Sequence, residues 1–394
     1  MTTGKQTKKR YFTVGPSQLF PTVNDHILEA IEQQIGSLSH RGAQFEDIFS
    51  SAVAGLKQLM GIPEDYTIFF VSSGTEAMER TIENVVEKHS FHFVNGAFSK
   101  RFFDTALELG KHAEKMEVAL GQGFDLSSFG GVTRVKSSHQ GGLNKVKEHL
   151  RDKRAAGPQI SNEVELLCFT HNETSTGVML PAEQIAAIKK TYPDKLIAID
   201  IVSSAPYARI DFPKADIVFF SVQKGFGLPA GLGVMVVSPQ AIEKAASLQK
   251  KGNYIGTYHN FPTLKKWADK HQTPETPSIF HLYLLSKVVE DLLKIGIEEI
   301  RNQTDAKAAL LYDFLDAHPR WKPFVTEAKF RSPTVIVANA GDEQKRLKDY
   351  LKKENILIGS GYGPNKDTQI RLANFPALSV HDVKQLLALL KKFK

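Results

Sequence analysis

The chain has one cysteine, Cys168, in 394 residues. A single thiol excludes an internal disulfide and any thiolate metal cluster. It lies in the apolar run 164–170, where a small core residue is the expected role. No run of about 18 apolar residues occurs, so no membrane span is expected. The N-terminus is basic but lacks the apolar stretch of a secretory signal, and a cytoplasmic location is the expectation. Acidic residues are missing from both ends, 1–10 and 391–394. Lys5, Lys8, Lys9, Arg10, Lys391, Lys392 and Lys394 together account for the formal net charge of +7. Without those seven, basic and acidic residues balance at 43 each. A neutral body argues against a nucleic-acid interface, whose basic residues should cluster on the folded domain. Gly-Lys-Ser and Gly-Lys-Thr are also absent, so a Walker nucleotide loop has no support.

What is present is an alternation. Apolar runs at 67–71, 91–94, 115–119, 164–170, 196–200, 217–220 and 232–237 read as strands. Amphipathic segments near 75–88, 99–111, 140–154 and 181–191 read as helices between them. Such alternation means an α/β fold with a mostly parallel sheet. Several strands are apolar throughout, as expected when helices cover both faces. After Pro277 the texture changes to long helices at 278–294 and 297–317, short strands at 334–338, 356–358 and 369–372, and a final helix at 379–391. The expected organisation is a disordered basic tail over 1–10, a large domain over 11–277 and a smaller α+β domain over 278–394. The segment just after the tail could pack on the small domain.

The candidate chemistry sits at the carboxyl ends of these strands, where ligands bind in open α/β sheets. Lys224 ends the strand before a glycine-rich turn, in Ser221-Val222-Gln223-Lys224-Gly225-Phe226-Gly227. A lysine at the end of a buried strand is costly unless it has a job. A desolvated amine is a good nucleophile toward an aldehyde, and a Schiff base is one reading; a surface lysine in a turn is the other. Asp200 closes Leu196-Ile197-Ala198-Ile199-Asp200. It needs a partner, either a protonated pyridine nitrogen or a structural cation or cap. Ser72-Ser73-Gly74-Thr75 follows a strand and opens a helix, which suits a phosphate or simply caps the helix. Arg371 interrupts an apolar strand in Thr368-Gln369-Ile370-Arg371-Leu372, and its planar fork suits a carboxylate. His40 and Arg41 offer a second cationic site or a solvated loop. Phe98 is a stacking ring or a core residue, and 171–177 supplies hydroxyls and amides.

Together these residues resemble the class V branch of the fold-type I pyridoxal-phosphate aminotransferases, from about Tyr11 to the C-terminus. Phosphoserine enzymes are nearest in pattern, with serine–glyoxylate and alanine–glyoxylate enzymes next. The resemblance implies roles by position. Lys224 would carry pyridoxal 5'-phosphate as a Schiff base. Asp200 would pair with the ring nitrogen, Phe98 would stack on the ring where the family usually has Trp, and Thr174 would meet the phenolic oxygen. Gly74, Thr75 and Gln223 would hold the phosphate. Gln272 and Thr273 would reach it across a homodimer interface. Arg371 would take the substrate α-carboxylate. His40 and Arg41, from the partner subunit, would lie near a distal anion.

The implied activity is transamination of a small amino acid, most simply phosphoserine with 2-oxoglutarate in serine biosynthesis. The alternatives are serine or alanine with glyoxylate or pyruvate, and beyond those a lyase or desulfurase. Two departures bear on the choice. Thr75 stands where phosphoserine enzymes commonly have Arg. The stretch 360–367 offers only Lys366 where they carry a His-Arg pair.

Overall fold

The structure, a computed structural model, describes residues 9–126 and 160–393. Expected features at 1–8, the helix at 140–154 and Lys394 lie outside the described residues.

The chain begins with β1 (Arg10–Phe12), then α1 (Val23–Glu32) and α2 (Ala43–Met60). Buried Phe45, Phe49, Ala52, Leu56, Leu59 and Met60 recur along one side of α2, giving the helix a core-facing stripe. Gly61 ends it in the left-handed region. Neither helix was expected from the sequence. The expected alternation then follows: β2 (Thr67–Val71), α3 (Gly74–Val85), β3 (His89–Val94), α4 (Ala97–Glu108), β4 (His112–Glu117) and β5 (Leu166–Thr170). A short antiparallel pair, β6 (Asn172–Glu173) and β7 (Val178–Met179), leads to α5 (Ala182–Thr191). Next come β8 (Leu196–Asp200), β9 (Ile217–Ser221), β10 (Gly233–Val237), α6 (Pro239–Lys250) and α7 (Phe261–Ala268).

Among the described residues seven strands form one sheet in the order β2-β10-β9-β8-β5-β3-β4. Only β10 runs against its neighbours, so β2 still points the same way as β9. The carboxyl ends of β2, β3, β5, β8 and β9 therefore share one edge. Side chains alternate between two cores: Ile68, Phe70, Ile197, Ile199, Val218 and Phe220 on one face, and Phe69, Val71, Ala198, Ile217 and Phe219 on the other. That double burial is why the strands read as continuous apolar runs. Cys168 is buried on the second face, which pushes its thiol well above the usual range.

Two long helices follow, α8 (Ile279–Ile295) and α9 (Ile297–Ala317). Then come β11 (Lys322–Pro323), β12 (Val335–Asn339), α10 (Gln344–Lys353), β13 (Ile356–Ser360), β14 (Gln369–Ala373) and α11 (Val380–Lys392). A second sheet has the order β1-β13-β14-β12-β11. Two observations show how the ends of these segments are packed. Arg10 is ordered in β1, which pairs parallel with β13, and its Nε donates to Asp382 at 2.6 Å. The apolar face of α8 joins the larger core with α2, since Leu282, Leu285, Val289 and Leu292 cluster with Phe45 and Leu56. The core of the smaller sheet holds Phe12 of β1 and, after Pro277, takes up the chain first at Leu311 and Leu315. Amphipathicity shows that a helix has a buried side but not which sheet it faces. Lys391 and Lys392 are exposed in and beside the last turn of α11, where positive charge suits the helix end.

Candidate active site

The carboxyl ends of β3, β5, β8 and β9 lead to Phe98, Thr174, Asp200 and Lys224, which gather in one place. Lys224 follows β9 and is 7% exposed. Its Nζ donates to Thr174 Oγ1 at 3.4 Å and lies 5.5 Å from the centre of the Phe98 ring. Burial, offset in part by Asp200 and reinforced by Arg371, pulls the ammonium down to about 8. A good share of the amine is then neutral near pH 8, the form that attacks or takes a proton. Gly15 closes over the side chain. A Cβ there would sit 2.8 Å from Lys224 Cε, and its φ of +150° is one that other residues rarely adopt. Gly225 is constrained just as tightly, because a Cβ would lie 1.9 Å from the Ala205 carbonyl oxygen.

Asp200 ends β8 and is 3% exposed. Its Oδ1 accepts the Val202 N–H at 2.7 Å, and no cation among the described residues forms an ion pair with it. Burial raises the carboxyl to about 7, against the Val202 N–H and with help from the charge of Glu173. This is a carboxylate without the partner its position calls for.

Thr174 joins the two sheets at this point. Its hydroxyl accepts from Lys224, and its carbonyl accepts Arg371 Nη1 at 3.1 Å. Arg371 comes from β14 of the smaller sheet, and its Nε donates to the Ser360 carbonyl at 2.7 Å. Its Nη2 has no hydrogen-bond partner among the described residues. The guanidinium sits 5.4 Å from the Tyr362 ring centre, and that ring is 5.6 Å from Phe98. Lys224, Thr174, Phe98, Tyr362 and Arg371 thus border one space.

The phosphate-ready turn is partly occupied by the protein itself. Glu76 accepts the Ser72 N–H at 2.8 Å, Ser73 Oγ caps the helix on the Glu76 N–H, and the Gly74 N–H donates to Ser221 Oγ at 3.0 Å. The exposed Thr75 keeps its N–H and hydroxyl free of partners among the described residues at the start of α3, the end that attracts anions. Gln223 Oε1 is buried and has no partner among the described residues.

The other expected residues gather elsewhere. Arg41 is exposed, and its Nη1 donates to the Thr273 carbonyl at 2.5 Å and to Gln272 Oε1 at 3.2 Å. Its Nη2 donates to the Pro274 carbonyl at 3.2 Å, and the guanidinium stacks 3.9 Å from the Trp267 ring centre. Within one chain no described contact links this group, or His40, to Lys224.

Sequence reasoning passed over Glu173 and Tyr362. Glu173 is completely buried and accepts from the N–H groups of Phe98, Ser99 and Ser175 and from the hydroxyls of Ser99 and Ser175. It caps α4 and so fixes where Phe98 stands. A glutamate beside asparagine and threonine reads as a loop residue; the gap between it and 96–99 in sequence hides the cap. Tyr362 lay in a stretch read only for its cations.

The class-V aminotransferase family model matches residues 143–367, more than half of the chain. The chain belongs to the class-V aminotransferases. Members of this family are pyridoxal-phosphate-dependent enzymes, and the α/β architecture is theirs. Along 98% of each chain it is 43% identical to a crystallised phosphoserine aminotransferase from Cytophaga hutchinsonii, with a TM-score of 0.88. It is 27% identical to a phosphoserine aminotransferase of Rhodococcus opacus, over 95% of this chain and 92% of that one. An alanine–glyoxylate aminotransferase from Nostoc sp. shares the fold at a TM-score of 0.78 and 22% identity, covering 100% of this chain and 97% of its own. No helix among the described residues is long and apolar enough to cross a membrane.

Proposed function

We propose that this class-V aminotransferase moves the amino group of phosphoserine to 2-oxoglutarate, as a homodimer in the cytoplasm, in serine biosynthesis. The observation that carries the reading is the 43% identity to a phosphoserine aminotransferase over 98% of both chains. The 22% likeness to an alanine–glyoxylate enzyme supports the shared fold alone. Sulfur chemistry has little support, because the chain's one thiol lies in the core.

The residues fit the cofactor. Among the described residues Asp200 is a buried carboxylate with no ion-pair partner, Gln223 Oε1 is a buried atom with no donor, and Thr75, at the start of a helix, has donors without partners. Asp200 would face the ring nitrogen, Thr174 the phenolic oxygen, Phe98 the ring, and Gly74, Thr75 and Gln223 the phosphate. Bound there, pyridoxal phosphate supplies an aldehyde for amino groups and a ring that accepts electrons. Arg371 binds the α-carboxylate of the donor, using the fork nitrogen that the protein leaves free. Its anchorage to Thr174 sets that carboxylate beside Lys224. The neutral Nζ of Lys224 takes the proton from the substrate α-carbon and returns it one step later. Asp200, once beside a protonated ring nitrogen, stays ionised and keeps that proton in place. His40, Arg41, Gln272 and Thr273 would come from a second copy. The clustering of Arg41 with Gln272 and Thr273, away from Lys224 of their own chain, is in keeping with delivery as one unit.

Half-reactions test the substrate. The pyridoxal form is mixed with phosphoserine, serine, alanine, aspartate and glutamate, and the loss of its visible absorbance is followed. Phosphoserine and glutamate should react fastest, and Lys224→Ala should lack the absorbance altogether. If phosphoserine is no faster than serine, the substrate assignment fails while the enzyme class stands.

A further inference from the structure

At the opposite end of the large sheet, two histidines meet on adjacent strands. His89 opens β3 and His112 opens β4, and the parallel register pairs them directly. The same register sets Glu114 across from Phe91, two residues further along, so all three point to one face. The Nδ1 atoms of His89 and His112 stand 2.9 Å apart. One ligand atom from each of His89, His112 and Glu114 lies within 4.8 Å of the others. On the far side of His89, Nε2 faces Glu163 Oε2 at 3.5 Å. Two nearby lysines are engaged elsewhere: Lys111 Nζ with the Glu87 carbonyl at 3.4 Å, and Lys115 with Glu117.

We propose that His89, His112 and Glu114 form a binding site for a divalent transition-metal ion of the zinc type. Two imidazoles and a carboxylate are a common donor set for this ion, with water as the fourth ligand. Nitrogens about 2.0–2.1 Å from one tetrahedral ion must lie roughly 3.3 Å apart, close to the separation seen. Glu163 supplies what a metal-binding histidine needs at its other nitrogen. A carboxylate there holds the proton on Nε2, leaves the Nδ1 lone pair free and makes it more basic. His112 is exposed and has only to carry its own proton on Nε2 to present Nδ1 as well. The site is separate from the one around Lys224, because the six residues of β3 put roughly 17 Å between its two ends. β4 is the edge strand of the sheet, so the ion would pin that edge to β3.

The test uses tag-free holoenzyme stripped with a chelator and then dialysed against micromolar Zn²⁺, with no amino acid present. The wild type should retain about one more zinc per chain than His112→Gln, at an exposed position, or Glu114→Gln, at a half-buried one, and its melting temperature should rise with zinc. Glu163→Gln, which touches no ion, should weaken zinc binding about 10-fold. The transamination rate of His112→Gln should stay that of the wild type. Equal zinc uptake by wild type, His112→Gln and Glu114→Gln would overturn the proposal, as would no uptake by any of them.

Discussion

Arg371 and Arg41 were expected to be two halves of one substrate clamp, and the fold treats them in opposite ways. Arg371 is half-buried, spends two of its donors on the Ser360 and Thr174 carbonyls and keeps Nη2 without a partner among the described residues. Its neighbours, Lys224 and Asp200, have ionisation pulled toward neutrality by burial. Arg41 is exposed, gives both terminal nitrogens to backbone carbonyls and rests on Trp267. One region is built with groups left wanting, while the other is complete in itself. Unsatisfied buried polarity marks a place that a ligand finishes. A satisfied surface arginine marks a brace. On this comparison Arg41 acts first by shaping the segment Gln272-Thr273-Pro274 and only then by its charge.

The largest effect should come from Arg371→Lys. Lysine keeps the charge but cannot donate to Ser360, Thr174 and a carboxylate in one plane. A lost charge-assisted bond is worth about 1.5–3 kcal/mol, so kcat/KM for every amino donor should fall roughly 10- to 100-fold. Steady-state kinetics with phosphoserine and glutamate measure it. Loss confined to one donor would mean that Arg371 does not meet the common α-carboxylate.

The next effect separates the two regions by pH. In the folded, cofactor-free protein the Asp200 carboxyl sits at about 7, above its ordinary value of 3.8. A raised folded value means the native state binds this proton more tightly than the unfolded chain does. The resulting stability cost is absent well below 3.8, grows as pH rises, and is complete above about 7. Asp200→Asn should therefore stabilise the cofactor-free protein more at pH 8 than at pH 5, by roughly 2–3 kcal/mol. Denaturant melts at the two values check this. The same substitution should slow the holoenzyme, because Asn cannot hold a proton on the ring nitrogen. An equal gain at both values would show that Asp200 already has its partner within the protein.

Much of this arrangement was legible in the sequence. Period-two burial on two covered faces gave continuous apolar runs, and the strands at 67–71, 196–200 and 369–372 follow from them. Lys224, Asp200 and Arg371 stood out because charge inside apolar strands is expensive. What stayed hidden depends on pairing between distant segments. Glu173 caps a helix that begins at Ala97, far from it in sequence, and its meaning appears only when the two segments touch. The partners of α2 and α8 were equally hidden, since an apolar stripe does not name its neighbour. The parallel strand from Arg10 was masked by its basic setting, which reads as a tail.

The smallest effect should come from Arg41→Ala, and it decides whether brace or clamp is the better description. The stacking on Trp267 and the exposed carbonyl bonds together are worth about 1 kcal/mol, so a several-fold effect is expected. A brace acts through Gln272 and Thr273, which would serve the cofactor phosphate of a second copy. Pyridoxal phosphate should then bind several-fold more weakly, and phosphoserine and alanine should lose rate alike at saturating cofactor. A clamp acts on the distal anion of the donor. Phosphoserine would then lose far more than alanine, with cofactor affinity unchanged. Because Nη1 and Nη2 are already committed to carbonyls, a distal phosphate has to compete with three bonds within the chain. The near-equal loss is accordingly the expected result. A phosphoserine-selective loss would require Arg41 to swing off Thr273 and Pro274 when two copies assemble.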